Sequence, residues 1–222
     1  MDDLFSKLSY CVEFGKIDKN TSYPPDLKGQ DGTSELTQKA LEDGVAPEDI
    51  LKKGLIPGME AIGKKFEEKK AFVPQMLISA KAMNAAMKYI KPYFQSGAIK
   101  QKGTFVIGTV TGDLHDIGKN IVAMMIEGAG WQVNDLGVDV KPNVFMDTIK
   151  ENPGCFVGLS SLLTTTMPNM ESIVKKIKSE YPDTKICIGG APVNEKFRER
   201  IGADFYAEAP QKLVEYINSF VA

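Results

Sequence analysis

The spacing of apolar residues changes once along this chain. Up to about residue 97 they recur every three or four positions, and from about residue 104 they come in short unbroken runs. In the first region Leu51, Leu55, Met59, Ile62 and Phe66 fall on one helix face, and Pro57 is expected to kink or restart that helix near its middle. Met76, Ala80, Met83, Met87 and Ile90 form a second stripe, whose first turn suits Pro74. Residues 4–15 and 35–44 read as shorter helices that stop at Gly15 and Gly44. Four helices with short links predict an antiparallel bundle over residues 1–97. The polar stretch 16–34, with Pro24, Pro25, Gly29 and Gly32, reads as a long surface loop, better taken as a tolerated insertion than as a binding feature.

Residues 96–103 read as a linker. Beyond it, strands are expected at 104–110, 132–137, 155–160, 185–190 and 203–207, with helices at 117–130, 142–152, 168–181, around 193–200 and at 210–221. Five alternations of strand and helix predict an α/β domain over residues 98–222, a doubly wound, Rossmann- or flavodoxin-like five-stranded parallel sheet. In such sheets ligands bind at the carboxyl ends of the strands, where strand order reverses. Small, polar and glycine-rich residues follow the strands here: TGDLHD, SSLLTTT, GGAP and AEAP. Strands one, three and four are expected to be neighbours, so that their loops line one crevice.

Composition narrows the function classes. Charged residues make up 25% of the chain and its net charge is −2, which points to neither nucleic-acid nor anionic-membrane binding. No apolar run approaches the roughly 20 residues of a membrane-spanning helix. The start MDDLFSKLSY shows no basic-then-apolar leader. Cys11, Cys155 and Cys187 are widely spaced, without a zinc or redox pattern, and the last two sit in apolar runs as buried thiols. A reducing cytoplasm is the expected location.

His115 is the only histidine. It reads either as a surface or capping residue beside a helix start or as a reactive group on the ligand rim. Asp113 two residues earlier, the room left by Gly118 and the rim position favour the second. A carboxylate that holds one ring nitrogen fixes the tautomer and leaves the other as a donor atom, the common arrangement of a metal-ligating histidine. One histidine is too few for a protein-built zinc site but suits a metal that arrives inside a macrocycle.

Asp113-x-His115-x-x-Gly118, then Ser160-x-Leu162, then Gly189-Gly190, resembles in order and approximate spacing the signature of cobalamin-binding domains. The upstream helices, with FVPQMLISAKAM, are similar to the four-helix cap of cobalamin-dependent methyltransferases. The whole chain looks like a corrinoid protein of a multi-component methyltransferase system. The 16–34 loop departs from the usual compact link but touches no motif.

That resemblance implies cobalamin as cofactor and His115 as the lower axial ligand to cobalt. It implies that Asp113 holds His115 and that Ser160 holds Asp113, and that Ser160, Leu162, Thr164, Gly189 and Gly190 border the cofactor's displaced tail. Gly112, Asp116, Ile117 and Ala209 are further expected contacts, although Asp116 serves equally as a helix N-cap. Phe66 and Val73 either cover the upper face of the corrin or belong to the bundle core. Met76 and Met83 either lie nearby or are core, the better reading for Met83.

The implied function is a methyl carrier without a catalytic residue of its own. It accepts a methyl group on Co(I) through a substrate-specific methyltransferase and delivers it from methyl-Co(III) to a second methyltransferase. O-demethylation of aryl methyl ethers, with tetrahydrofolate as acceptor, is the expected use, and methanol and methylamines are the alternatives. A reductive activator of Co(II) is the third expected partner, and the 96–103 linker the expected hinge. A cobalamin-dependent sensor is the rival from another class, but no basic helix-turn-helix segment accompanies these domains. A receiver domain would need a phosphorylatable aspartate where SSLLTTT stands.

Overall fold

The computed structural model describes residues 2–95 and 101–221. It divides into a unit of Met1–Gln101 with Gly128–Gly130 and a unit of Lys102–Glu127 with Trp131–Ala222. Residues 96–100 of the expected linker, and with them the expected boundary at 97/98 and the hinge, lie outside the described residues.

The helical unit is built from α1 (Asp2–Phe14), α2 (Thr33–Glu42), α3 (Ile56–Glu67) and α4 (Val73–Gln95). α1 packs on α3 and α4, and α2 on α4. Both predicted stripes point inward: Leu51, Leu55, Met59 and Ile62 are buried, as are Met76, Ala80, Met83, Met87 and Ile90. Gly58 lets α3 approach α1 closely, since a Cβ there would lie 2.4 Å from the carbonyl oxygen of Ser9. Pro57 acts as expected, but the adjustment spreads upstream. A single α-helical turn (Pro47–Asp49) widens into a π-helical segment (Ile50–Leu55) before α3 begins. Proline lacks the N–H that would continue the α ladder, so the turn before it is remade with longer-range bonds, such as Ile56 N to Leu51 O. At the next helix Pro74 sits in the first turn, and the Gln75 side chain accepts the N–H of Phe72 at 2.7 Å.

The 16–34 loop is tied down by its own polar groups. Asp18 Oδ1 accepts from Asn20 N, Thr21 N and the Thr21 hydroxyl. Lys16, fully buried, donates to the carbonyl of Thr21.

The sheet unit holds β1 (Thr104–Thr109), β2 (Gln132–Asp135), β3 (Phe156–Ser160), β4 (Lys185–Gly189) and β5 (Phe205–Tyr206), all parallel, in the order β2-β1-β3-β4-β5. Between them run α5 (Ile117–Gly128), α6 (Pro142–Glu151), α7 (Met167–Glu180) and α8 (Glu195–Ile201), and α9 (Pro210–Asn218) follows β5. Strand order reverses after β2. A right-handed crossover then puts α5 on one face and α6 to α8 on the other. Val106, Val157, Leu159, Ile186 and Ile188 pack with Phe145, Met170, Ile173 and Phe197 on the second face. On the first, Tyr216 of α9 stacks on Phe205 at 4.1 Å between ring centroids. The three cysteines are free and buried, and burial pushes the Cys11 and Cys155 thiols up to about 11.

Asp204 joins α7 to the sheet edge. Its Oδ2 accepts from Lys178 Nζ at 2.6 Å and from Ile186 N at 2.8 Å, with Lys185 Nζ 3.5 Å from Oδ1. Burial alone would raise its pKa, but the Lys178 ammonium, Ile186 N and Lys185 outweigh that and hold it below the ordinary range. A depressed folded-state pKa stabilises fully above the unfolded value near ~3.9, and the contribution is lost as pH falls through the folded value. Asp204→Asn is expected to cost about 1–2 kcal/mol at neutral pH. It should also flatten the fall in stability below about pH 4, both measurable by urea unfolding across pH.

Candidate functional site

The strand-order reversal between β2 and β3 leaves the carboxyl ends of β1, β3 and β4 side by side, as expected from the sequence. The loop after β1 carries Gly112 to Ile117, and α5 starts at Ile117. Gly112 has φ +83, a left-handed conformation that glycine adopts without strain and that turns the chain out of β1.

Asp113 is the buried centre of this rim, and His115 is its exposed partner. The Asp113 side chain is fully buried, whereas 52% of the His115 side chain is exposed. Asp113 Oδ1 accepts from His115 Nδ1 at 2.8 Å and from His115 N at 3.1 Å. Oδ2 accepts from Leu162 N at 2.7 Å, Leu163 N at 3.2 Å and the Thr166 hydroxyl at 2.9 Å. Burial would raise the pKa of this carboxyl. The donors from Leu162, His115 and Thr166 outweigh it and hold the group well below the usual carboxylate range. An ionised Asp113 places the imidazole proton on Nδ1. That leaves a lone pair on Nε2, which has no hydrogen-bond partner among the described residues.

One expected contact is corrected. The hydroxyl on Asp113 belongs to Thr166, not to Ser160. Ser160 ends β3, whereas a 3-10 turn at Thr164–Thr166 folds Thr166 back under the loop. The Ser161 hydroxyl lies 2.8 Å from that of Thr166 and extends the chain of donors by one. Each hydroxyl has a single proton; Thr166 gives its own to the carboxylate, the stronger acceptor. Nothing in the SSLLTTT run marks Thr166 over its neighbours, because only the turn brings it within reach.

The remaining rim residues fall into two groups. Leu162, Thr164, Ile117 and Gly118 are exposed around His115, and a Cβ on Gly118 would meet open space. Leu114, at 73% exposure, and Leu163 add to this apolar collar. Asp116 stands at the start of α5: its carbonyl accepts from Asn120 N, and its side chain from Asn120 Nδ2 at 3.0 Å. After β4, Gly190 has φ +128, and a Cβ there would lie 1.8 Å from the carbonyl oxygen of Ser161. A Cβ on Gly189 would meet only Ala207 O, at 3.6 Å. Ala209 caps the start of α9, half-buried beside the end of β5. In the helical unit Phe66 is half-buried near the end of α3, and Val73, at the start of α4, is exposed. Met76 and Met83 are core.

These residues fit a corrinoid. A half-exposed imidazole presents one nitrogen without a partner among the described residues, exposed apolar side chains lie on its own loop and on the loop after β3, and β4 ends in a glycine pair of which Gly190 is exposed. No three metal-ligating side chains come together among the described residues. The fold and the rim thus define a flavodoxin-like domain whose strand-end loops present one carboxylate-held, half-exposed imidazole.

Comparisons with known proteins agree. Two family models, each described as a B12 binding domain, match residues 30–91 and 103–215. Trimethylamine corrinoid protein 1 of Methanosarcina acetivorans is 38% identical over 190 residues, 84% of this chain and 88% of the relative. A crystal structure of a cobalamin-binding protein from Desulfitobacterium hafniense matches with a TM-score of 0.73 and 31% identity, over 97% of this chain and 98% of that one. The methanol:cobalamin methyltransferase complex of Methanosarcina barkeri matches with a TM-score of 0.79 and 26% identity, over 99% of this chain and 80% of that one. This chain belongs to the B12-binding corrinoid proteins, and its cofactor is a corrinoid.

Proposed function

We propose that this protein is the methyl carrier between two methyltransferases, with His115 as the axial ligand beneath its corrinoid. The observation that carries the reading is the Asp113-held imidazole with a free Nε2 at the reversal of strand order. Bound there, the corrinoid supplies a cobalt centre that takes up and gives away methyl groups. The chain's own residues do the rest. His115 offers Nε2 as the ligand, and Asp113 keeps the Nδ1 proton in place. Leu162 N, Leu163 N and Thr166 keep Asp113 ionised and still. Asp113 would face the ring as its acceptor whether or not Nε2 holds the metal. Gly112, Asp116, Ile117, Gly118, Ser160, Leu162, Thr164, Gly189, Gly190 and Ala209 are the proposed surroundings of the cofactor. Phe66 and Val73 are the proposed apolar cover.

The partners in this reading are a donor-specific methyltransferase, a second methyltransferase and a reductive activator, all in the cytoplasm. Among the described residues no helix is long and apolar enough to cross a membrane. Aryl methyl ethers, with tetrahydrofolate as acceptor, are the donor that the sequence resemblance favours. Methylamines have the stronger support, since curated relatives 38–39% identical are named trimethylamine and dimethylamine corrinoid proteins. Nothing on the rim selects a donor, which leaves that choice to the partner enzyme.

The test is the visible spectrum of cobalamin-reconstituted protein. His115→Ala is expected to lose the histidine-ligated spectrum while the protein still unfolds cooperatively, because the imidazole is half exposed. An unchanged spectrum would overturn the axial role. Methylation of the reconstituted carrier is then followed with trimethylamine, methanol or a methoxylated benzoate, each with its own methyltransferase. Failure with all three would sink the carrier reading.

A further inference from the structure

Asp113 is not the only group that holds the loop of His115. Thr109, the last residue of β1, is fully buried and donates its hydroxyl to the main-chain carbonyl of His115 at 2.9 Å. From the other side comes Asp139, in the turn after β2. Its Oδ1 accepts from Gly112 N at 2.7 Å, and its own N–H donates to Asp113 O at 3.0 Å. Asp139 has φ +52, a left-handed conformation uncommon outside glycine and tolerated mainly by aspartate and asparagine. In that conformation both its side chain and its main chain reach the loop. Lys141 Nζ, 3.0 Å from the same Oδ1, steadies the carboxylate. These bonds grip backbone atoms of residues 112, 113 and 115, whereas the Asp113 side chain grips the ring and the N–H of His115.

We infer that Thr109 and Asp139 form a main-chain clamp that sets how far His115 Nε2 reaches toward the bound cobalt. Both are positioning residues and touch neither metal nor ring. The inference rests on the axial-ligand reading. A ligand that binds the metal in one state and leaves it in another needs a fixed pivot, because its affinity depends on sub-ångström reach. Asp113, braced by Leu162 N, Leu163 N and Thr166, fixes the ring, but it leaves the His115 carbonyl and the Gly112 end of the loop to other partners. Thr109 is anchored in the sheet, and Asp139 is attached to the neighbouring strand. Without the Thr109 hydroxyl, the carbonyl of His115 loses its buried partner and the loop can settle elsewhere.

Thr109→Val keeps the shape and removes the hydroxyl, while Thr109→Ser keeps the hydroxyl. Asp139→Gly keeps the left-handed turn and removes the carboxylate. All are compared with wild type after reconstitution with cobalamin and reduction to Co(II). Because His115 is the only histidine, growth on 15N-histidine labels the one nitrogen source in question. Electron paramagnetic resonance then reads its coupling to cobalt directly. Wild type is expected to show the 15N doublet. Thr109→Val and Asp139→Gly should each lower the ratio of histidine-bound to histidine-free cobalt about tenfold, the size of one lost hydrogen bond. Thr109→Ser should restore it. A wild-type ratio in Thr109→Val overturns the clamp, as does failure of Thr109→Ser to rescue it at equal thermal stability. Should Thr109→Val not fold, Asp139→Gly decides by the same ratio. Absence of the doublet in wild type overturns the axial reading itself and the clamp with it, and this outcome is seen without any variant.

Discussion

Gly190→Ala is expected to lower the stability of the apoprotein by about 3 kcal/mol or more and to abolish corrinoid retention. The new Cβ would fall 1.8 Å from the carbonyl oxygen of Ser161, a backbone atom that cannot turn aside. The φ of +128 adds strain that no L side chain relieves. Ser161 itself is held in the strand pairing, its N–H donating to Gly189 O at 3.1 Å. The adjacent Gly189→Ala is the control. Its Cβ would meet only Ala207 O, at ordinary contact distance, so the apoprotein should lose no more than about 1 kcal/mol. If Gly189 borders the cofactor tail as proposed, that variant still binds cobalamin weakly. Urea unfolding of the apoproteins, together with the corrinoid retained after desalting, separates the two effects. A Gly190→Ala protein as stable as wild type would show that the rim relaxes more readily than its packing implies.

Asp113→Ala should have the second largest effect, about 3 kcal/mol in the apoprotein. It leaves Leu162 N, Leu163 N and the Thr166 hydroxyl without their acceptor, and it frees the His115 ring. Asp113→Asn should recover little of this, because both carboxylate oxygens accept. Either orientation of the amide turns an NH2 group toward another donor, on the Leu162 side or the His115 side. Thr166→Val removes one of the five donors and should cost about 1 kcal/mol; Ser160→Ala, whose hydroxyl is not on Asp113, should cost less. Unfolding midpoints for the four variants rank these contacts, and equal losses for Thr166→Val and Ser160→Ala would contradict the hydrogen-bond geometry of the rim.

Much of the molecule was legible in the sequence because burial leaves a period in it. The stripe from Leu51 to Ile62, the stripe from Met76 to Ile90 and the apolar runs of β1, β3 and β4 each mark an element, since one face or both must leave water, whereas β2 and β5 are partly exposed. A lone histidine two residues after an aspartate, beyond the first strand, marked the rim as the candidate site. The chain by itself determined its elements, the parallel sheet and the pairing of Asp113 with His115, which are local matters of periodicity and a two-residue reach. Only the tertiary structure decided which groups hold that pair. Thr166 rather than Ser160 reaches Asp113 across 53 residues of sequence, and Asp139 reaches Gly112 across 27. Such contacts depend on how a 3-10 turn and a left-handed residue aim their side chains once β1, β2 and β3 are side by side. Residue spacing along the chain carries no record of that direction.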